Sequence, residues 1–188
     1  MSAFSDYLET ISQVNDLGSD LRNAHPVQWL FHSGMLFSTW NKWWGDFRFR
    51  QSAHEGIDIT YFRTIPDKLR QFDTSIKVPA MADGVIVNIC DDFLGQTLVV
   101  EHENSLGFNR RILFVYAHII PEKSLKPGHI IKKGAVIARV CDTHKNPKLP
   151  PHLHFSCAEV SKQVRPEQLN WNLFSKSRDI NLIHPVFL

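Results

Sequence analysis

Apolar positions near the N-terminus recur at three- and four-residue steps: Phe4, Leu8, Ile11, Val14, Leu17 and Leu21. That repeat marks one face of a helix. It predicts an amphipathic N-terminal helix that ends before His25-Pro26 and packs on the rest of the protein. From Lys77 onward the pattern changes. Short apolar runs at 85–89, 97–102, 112–117, 130–131 and 136–138 are separated by Asp83-Gly84, Phe93-Leu94-Gly95, Lys126-Pro127-Gly128 and Lys132-Lys133-Gly134. A further loop is expected over residues 103–109 and a polar, proline-bearing one over 142–151. Strands at this spacing, without helical patterns between them, predict a mainly β fold, a sandwich or barrel, and argue against βαβ crossovers. Between helix and strands stands an aromatic-rich stretch: Trp29, Phe31, Phe37, Trp40, Trp43, Trp44, Phe47 and Phe49. Its commoner use is a core or packing seam, and stacking on a sugar or peptide is the rarer one. The chain thus divides into a helical and aromatic-rich N-terminal appendage, residues 1–45, and a β domain, residues 46–188.

Composition narrows this picture only a little. A chain of 188 residues with 43% hydrophobic and 21% charged residues fits one globular domain with a buried core. A net charge of +2 is too weak to point to nucleic acid, though it is compatible with an anionic polymer such as a bacterial cell wall. Cys90, Cys141 and Cys157 show no CxxC spacing, so small residues with free thiols are expected rather than a disulfide framework. Asp6, Glu9, Asp16, Asp20 and Arg22 interrupt any apolar stretch that a secretory signal would need. The expectation is synthesis without a signal or a trimmed chain. No run approaches the roughly 18 apolar residues of a membrane span.

Three short stretches carry the candidate chemistry: His54-Glu55-Gly56-Ile57-Asp58, Tyr116-Ala117-His118 and His152-Leu153-His154. On a strand, positions i, i+2 and i+4 share a face. His54 and Asp58 would then point one way, as would His152 and His154. A helix would also join His54 to Asp58, but Gly56 and the β-branched neighbours disfavour it. Four imidazoles and a carboxylate are the inventory of a catalytic zinc site, with three ligands, an open position and spare groups to move protons. A lone histidine is more often structural, and His25, His32, His102, His129, His144 and His184 are read so. Glu55 invites comparison with the HExxH base, but that motif needs a second histidine where Asp58 stands, so it is not assigned a catalytic role.

With these residues in order, the chain resembles the lysostaphin/LytM-type zinc metallopeptidases, from about Arg50 to Phe155. The resemblance is carried by His-Glu-Gly-Ile-Asp-Ile, Val-Pro-Ala-Met-Ala-Asp-Gly-Val-Ile, Gly-Gln-Thr-Leu-Val-Val-Glu-His, Tyr-Ala-His-Ile, Lys-Pro-Gly-His-Ile-Ile-Lys-Lys-Gly and Pro-His-Leu-His-Phe-Ser, with an echo at His184-Pro185. It implies an antiparallel β core around a groove, one zinc ion bound by His54, Asp58 and His154, and catalytic roles for His118 and His152. It also implies an endopeptidase that hydrolyses peptide bonds of bacterial peptidoglycan, in cross-bridges or stem peptides, by metal-activated water. A cell-envelope or extracellular setting goes with that activity. Two departures bear on the groove. Residues 142–151 replace a small Gly/Ser-rich turn, and the segment 61–75 is longer than usual; both are expected to border the groove, which leaves open whether they narrow or cover the site. The rival reading is a non-catalytic module of the same fold that binds cell wall or an amidase partner. A lipoyl- or biotinyl-type carrier is a third, but no acceptor lysine on a tight hairpin is evident.

Overall fold

Ser2 opens the first helix: its hydroxyl accepts the Ser5 N–H at 3.3 Å, and α1 then runs Ala3–Val14. The structure, a computed structural model, describes residues 2–20, 23–24, 27–64, 68–102, 110–144, 146–176 and 179–187. The apolar face anticipated for this helix is buried through Phe4, Tyr7 and Ile11. The helix is shorter than its pattern, because Asn15 ends it. The Asn15 amide donates to the carbonyls of Ile11 and Lys77 and accepts the Lys77 N–H at 2.7 Å, tying the last turn to the first strand of the β region. Asp16 at φ 51° and Gly18 at φ 87° then turn the chain, while Leu17 still packs on the core. Leu21 and His25-Pro26, where the helix was expected to end, lie outside the described residues, as does the loop expected at 103–109.

Among the described residues fourteen strands follow, and all their pairings are antiparallel. In chain order they are β1 (Ser19–Asp20), β2 (Asn23–Ala24), β3 (Gln28–Leu30), β4 (Ile57–Ile59), β5 (Tyr61–Thr64), β6 (Lys68–Arg70), β7 (Lys77–Pro79), β8 (Gly84–Asp91), β9 (Gln96–His102), β10 (Arg110–Pro121), β11 (Ile130–Ile131), β12 (Val136–Val140), β13 (Leu153–Ser161) and β14 (Ile180–Ile183). A short helix α2 (Trp171–Lys176) precedes the last strand. It is too short to leave a periodic signal and was not anticipated. The nine-stranded sheet has the order β11-β8-β9-β10-β12-β7, with β13 joining β10 to β4 and β14. The long segment after β4 is not a free loop: β5 and β6 form a separate sheet with β3 from the aromatic-rich stretch.

Alternation along the central strands sorts the core into two layers. Leu98, Val100, Phe114, Tyr116 and Phe155 face one way and meet Phe4, Tyr7 and Ile11 of α1. Val99, Leu113, Val115, Ala158 and Val160 face the other way and meet Val164, Leu169 and Phe174. With both faces covered, residues 112–117 have no reason to alternate with polar ones, which explains the continuous apolar run. Cys157 is a buried free thiol that burial pushes up to about 12, Cys141 is buried, Cys90 is half-buried, and none of the three forms a disulfide.

One strand places the site. Residues 110–117 of β10 pair with β13, whereas Ile119–Pro121 pair with β12. The sheet therefore forks at His118, where the pairing with β9 also shifts register. His118 sits at φ 61°, a conformation that non-glycine residues seldom adopt. Its backbone is held there by His118 N–H to Asp92 Oδ2 at 2.9 Å and by Cys141 N–H to its carbonyl at 3.0 Å. The bulge turns the His118 side chain into the fork. Tyr116, two residues earlier, stays in the core with its hydroxyl accepting the Met81 N–H, rather than sharing a face with His118.

Candidate metal centre and active site

Asp58 of β4 and His154 of β13 are direct cross-strand partners, so the ladder itself brings them together. His154 Nδ1 lies 2.8 Å from Asp58 Oδ1. His54 arrives by another route than expected. It precedes β4 in a loop, so strand alternation does not aim it. Its N–H donates to Thr39 O, and its carbonyl accepts the Ser38 N–H, each at 2.9 Å. This places His54 Nε2 3.1 Å from both Asp58 Oδ1 and His154 Nδ1. Gly56 makes the approach possible, since a Cβ there would stand 2.4 Å from Phe155 O and 2.8 Å from His154 Nε2.

The hydrogen bonds behind these rings bear on what the nitrogens present. The Leu36 carbonyl, 3.0 Å away, can only accept, so His54 Nδ1 carries the proton and Nε2 presents a lone pair. His154 Nε2 is 2.8 Å from the Ser156 hydroxyl, which can accept from it; in that tautomer Nδ1 presents a lone pair as well. Burial opposes protonation of His154, lowering its pKa, while Asp58 works the other way. Burial pushes the Asp58 carboxyl up, but the surrounding imidazoles of His54, His152 and His154 outweigh it and hold the group well below the usual carboxylate range. Two imidazole lone pairs and a carboxylate oxygen then crowd together in a buried place. A divalent cation relieves that repulsion, and the donor set of two nitrogens and one oxygen suits zinc. Ligands on tetrahedral zinc stand about 3.3 Å apart, close to the separations seen here. Among the described residues, His54, Asp58 and His154 are the group whose donor atoms converge in this way.

His118 and His152 stand beside them, with ring centroids 4.9 Å apart, and His118 is 5.7 Å from His154. His118 Nδ1 is 3.0 Å from Asp92 Oδ1. That carboxylate also accepts the N–H groups of Leu94 and Gly95 and the Thr97 hydroxyl. Burial pushes Asp92 up, yet the hydrogen bond and charge of His118 and the N–H of Gly95 leave it well below its ordinary value. His152 has a different partner. Its Nδ1 is 2.9 Å from Pro150 O, which can only accept, so the neutral ring offers Nε2 as a lone pair. Burial is the chief reason its pKa falls to about 3, partly opposed by Asp58, and the ring stays neutral above that.

Residues 52–166, more than half of the chain, match the model of peptidase family M23. The chain belongs to peptidase family M23. Among solved structures it is similar to LytU at 18% identity (TM-score 0.41, covering 73% of this chain and 80% of that one). Lysostaphin matches at 19% identity (TM-score 0.43, covering 71% of this chain and 50% of that one). The catalytic domain of the prophage-encoded M23 protein EnpA from Enterococcus faecalis matches at 17% (TM-score 0.38, covering 74% and 94%). No curated protein matches the chain.

Several residues around this cluster escape a reading by spacing. A cavity of about 220 Å³ is lined by the five polar side chains together with Trp44, Arg50, Glu55, Phe93, Leu149 and Trp171. Glu55 belongs here because residues 54–56 are not strand, so it lines the same cavity as His54. Leu149 of the 142–151 loop lines the cavity, so this loop borders it as anticipated, whereas no described residue of 61–75 is among the lining; Lys145 lies outside the described residues. Trp171 begins α2, stands 5.1 Å from the His154 ring and donates to Thr97. His184 packs on Phe37 and does not line the cavity. Asp92 follows another aspartate at a turn, and Trp43 sits in an aromatic run. Neither has a spacing that separates it from a turn former or a core residue.

Proposed function

We propose that the protein is a zinc-dependent endopeptidase that hydrolyses peptide bonds of bacterial peptidoglycan, in a cross-bridge or stem peptide. The observation that carries this reading is the approach of His54 Nε2, Asp58 Oδ1 and His154 Nδ1 to within 3.1 Å of one another, beside two further imidazoles, in a chain of a peptidase family. His54, Asp58 and His154 would hold the ion. Bound there, zinc supplies Lewis acidity, polarising a carbonyl oxygen and lowering the pKa of a water. The protein's side chains do the rest. His152 accepts a hydrogen bond from the attacking water at its unprotonated Nε2 and orients it. His118 takes the proton at Nε2, and Asp92, 3.0 Å from Nδ1, stabilises the resulting imidazolium. The same ring then returns the proton to the leaving amine. Trp44, Phe93 and Trp171 border the peptide and limit access of bulk water.

Digestion of purified sacculi with the wild type and His152→Ala, followed by mass analysis of the released peptides, tests the reading. The wild type should release peptides and carry about one zinc per chain, as the ligand set requires. His152→Ala should keep the metal and lose at least about 10²-fold in rate. Zinc without peptide release would favour the non-catalytic module, and protein purified without chelator that holds no zinc would sink the endopeptidase reading.

A further inference from the structure

We propose that the segment from Phe31 to Arg50, which precedes the family-matched residues 52–166, completes the metal centre, and that Trp43 is a positioning residue for Asp58. The inference rests on the zinc reading above. Asp58 has two oxygens with different neighbours. Oδ1 faces His54 and His154. Oδ2 receives the Trp43 indole N–H at 2.6 Å, and the Arg50 guanidinium lies 3.6 Å away. A carboxylate that is free to turn can present either oxygen or both. One whose far oxygen is already occupied presents Oδ1 alone, in one direction. Partners of this kind fix ligand orientation and the acceptor strength of the bound atom.

Trp43 is itself held. It is 3% exposed, and its ring meets those of Trp44, Tyr61 and His152 edge-on, with centroids 5.8, 5.9 and 5.3 Å away. The segment also orients His54, through the Leu36 carbonyl on Nδ1 and the Ser38 and Thr39 backbone contacts. It folds back on itself by Arg50 N–H to Trp40 O at 2.7 Å, Lys42 N–H to Arg48 O at 2.8 Å and the Arg50 side chain to Gly34 O at 2.8 Å. Two of the three proposed ligands are therefore aimed by residues outside the family-matched stretch. The third, His154, is aimed by Ser156 within it. The matched residues contain the donors, but what aims two of them comes from the aromatic-rich segment.

The test compares full-length wild type with Trp43→Phe, which keeps an aromatic ring against His152 and removes the N–H. Zinc affinity is measured by chelator competition, ligand geometry by the visible absorption of the cobalt-loaded protein, and folding by the melting of both metal-free proteins. The expected result is similar metal-free melting, zinc binding weaker by about 10- to 100-fold, and an altered cobalt spectrum. Unchanged affinity and spectrum would overturn the role of Trp43 and leave the zinc reading intact. A wild type that takes up no zinc would overturn the zinc reading, and this inference with it. Should the variant not fold, the Trp43 indole N–H resonance of the wild type decides: a shift on adding zinc supports the contact, and no shift refutes it.

Discussion

Asp92 meets His118 twice, at the backbone N–H and at Nδ1, and also accepts from Leu94, Gly95 and Thr97. One carboxylate thus shapes a turn, holds the strained His118 backbone and backs the imidazole. Its negative charge is what the proposed proton transfer needs. Asp92→Asn should keep zinc but lose at least about 10²-fold in turnover, checked by metal content and peptide release side by side. The same group bears on acid stability. Its folded pKa is depressed, so its contribution is present above the unfolded value of about 3.9 and is lost as pH falls toward the folded one. Melting of the metal-free wild type should therefore drop on acidification below about pH 4, and Asp92→Asn should show a shallower drop.

Elements position these residues through contacts that leave no slack. β4 and β13 are joined by three residue pairs, with Gly56 at the mouth of the pair. A methyl group there would meet Phe155 O at 2.4 Å and Ser156 Oγ at 2.5 Å, and the carbonyl cannot move without breaking the ladder. Gly56→Ala should destabilise the metal-free protein by about 1–3 kcal/mol and weaken zinc binding, read by urea denaturation and chelator competition. The fork of β10 works on the same scale. Had the strand run on without a bulge, His118 and Tyr116 would share a face. The bulge instead sends Tyr116 to the core and His118 to the cavity.

Across the whole molecule, the N-terminal residues are built into the domain. Phe4, Tyr7 and Ile11 share one core with Tyr116 and Phe155, the strand residues next to the site. Phe155 follows His154 directly, so loosening α1 reaches the proposed ligand through one packed ring, 5.2 Å from Tyr7. Ile11→Ala, at a position 1% exposed, should cost about 2–5 kcal/mol by urea denaturation of the metal-free protein. Among the described residues no helix is long and apolar enough to cross a membrane.

Much of this was legible along the chain. The short apolar runs punctuated by turn residues called for a mainly β fold, because strands buried on both faces read as continuous apolar runs of that length. The spacing of His152 and His154 predicted two imidazoles on one side; His152 stands just before β13 and His154 within it, and both line the same cavity. The helix register at Phe4 and Ile11 was equally plain. Other features had no local signature. His54 reaches the site through a loop tied to Ser38 and Thr39, His118 through a bulge, and Trp43 and Asp92 through hydrogen bonds spanning 15 and 26 residues. By itself the sequence determined the periodicities, and with them the fold class and the inventory of donors. Only the tertiary structure decided which oxygen of Asp58 faces the imidazoles and that His54 and His152 carry their protons on Nδ1. Those choices depend on acceptors and donors brought from distant segments, and a chain read residue by residue carries no record of them.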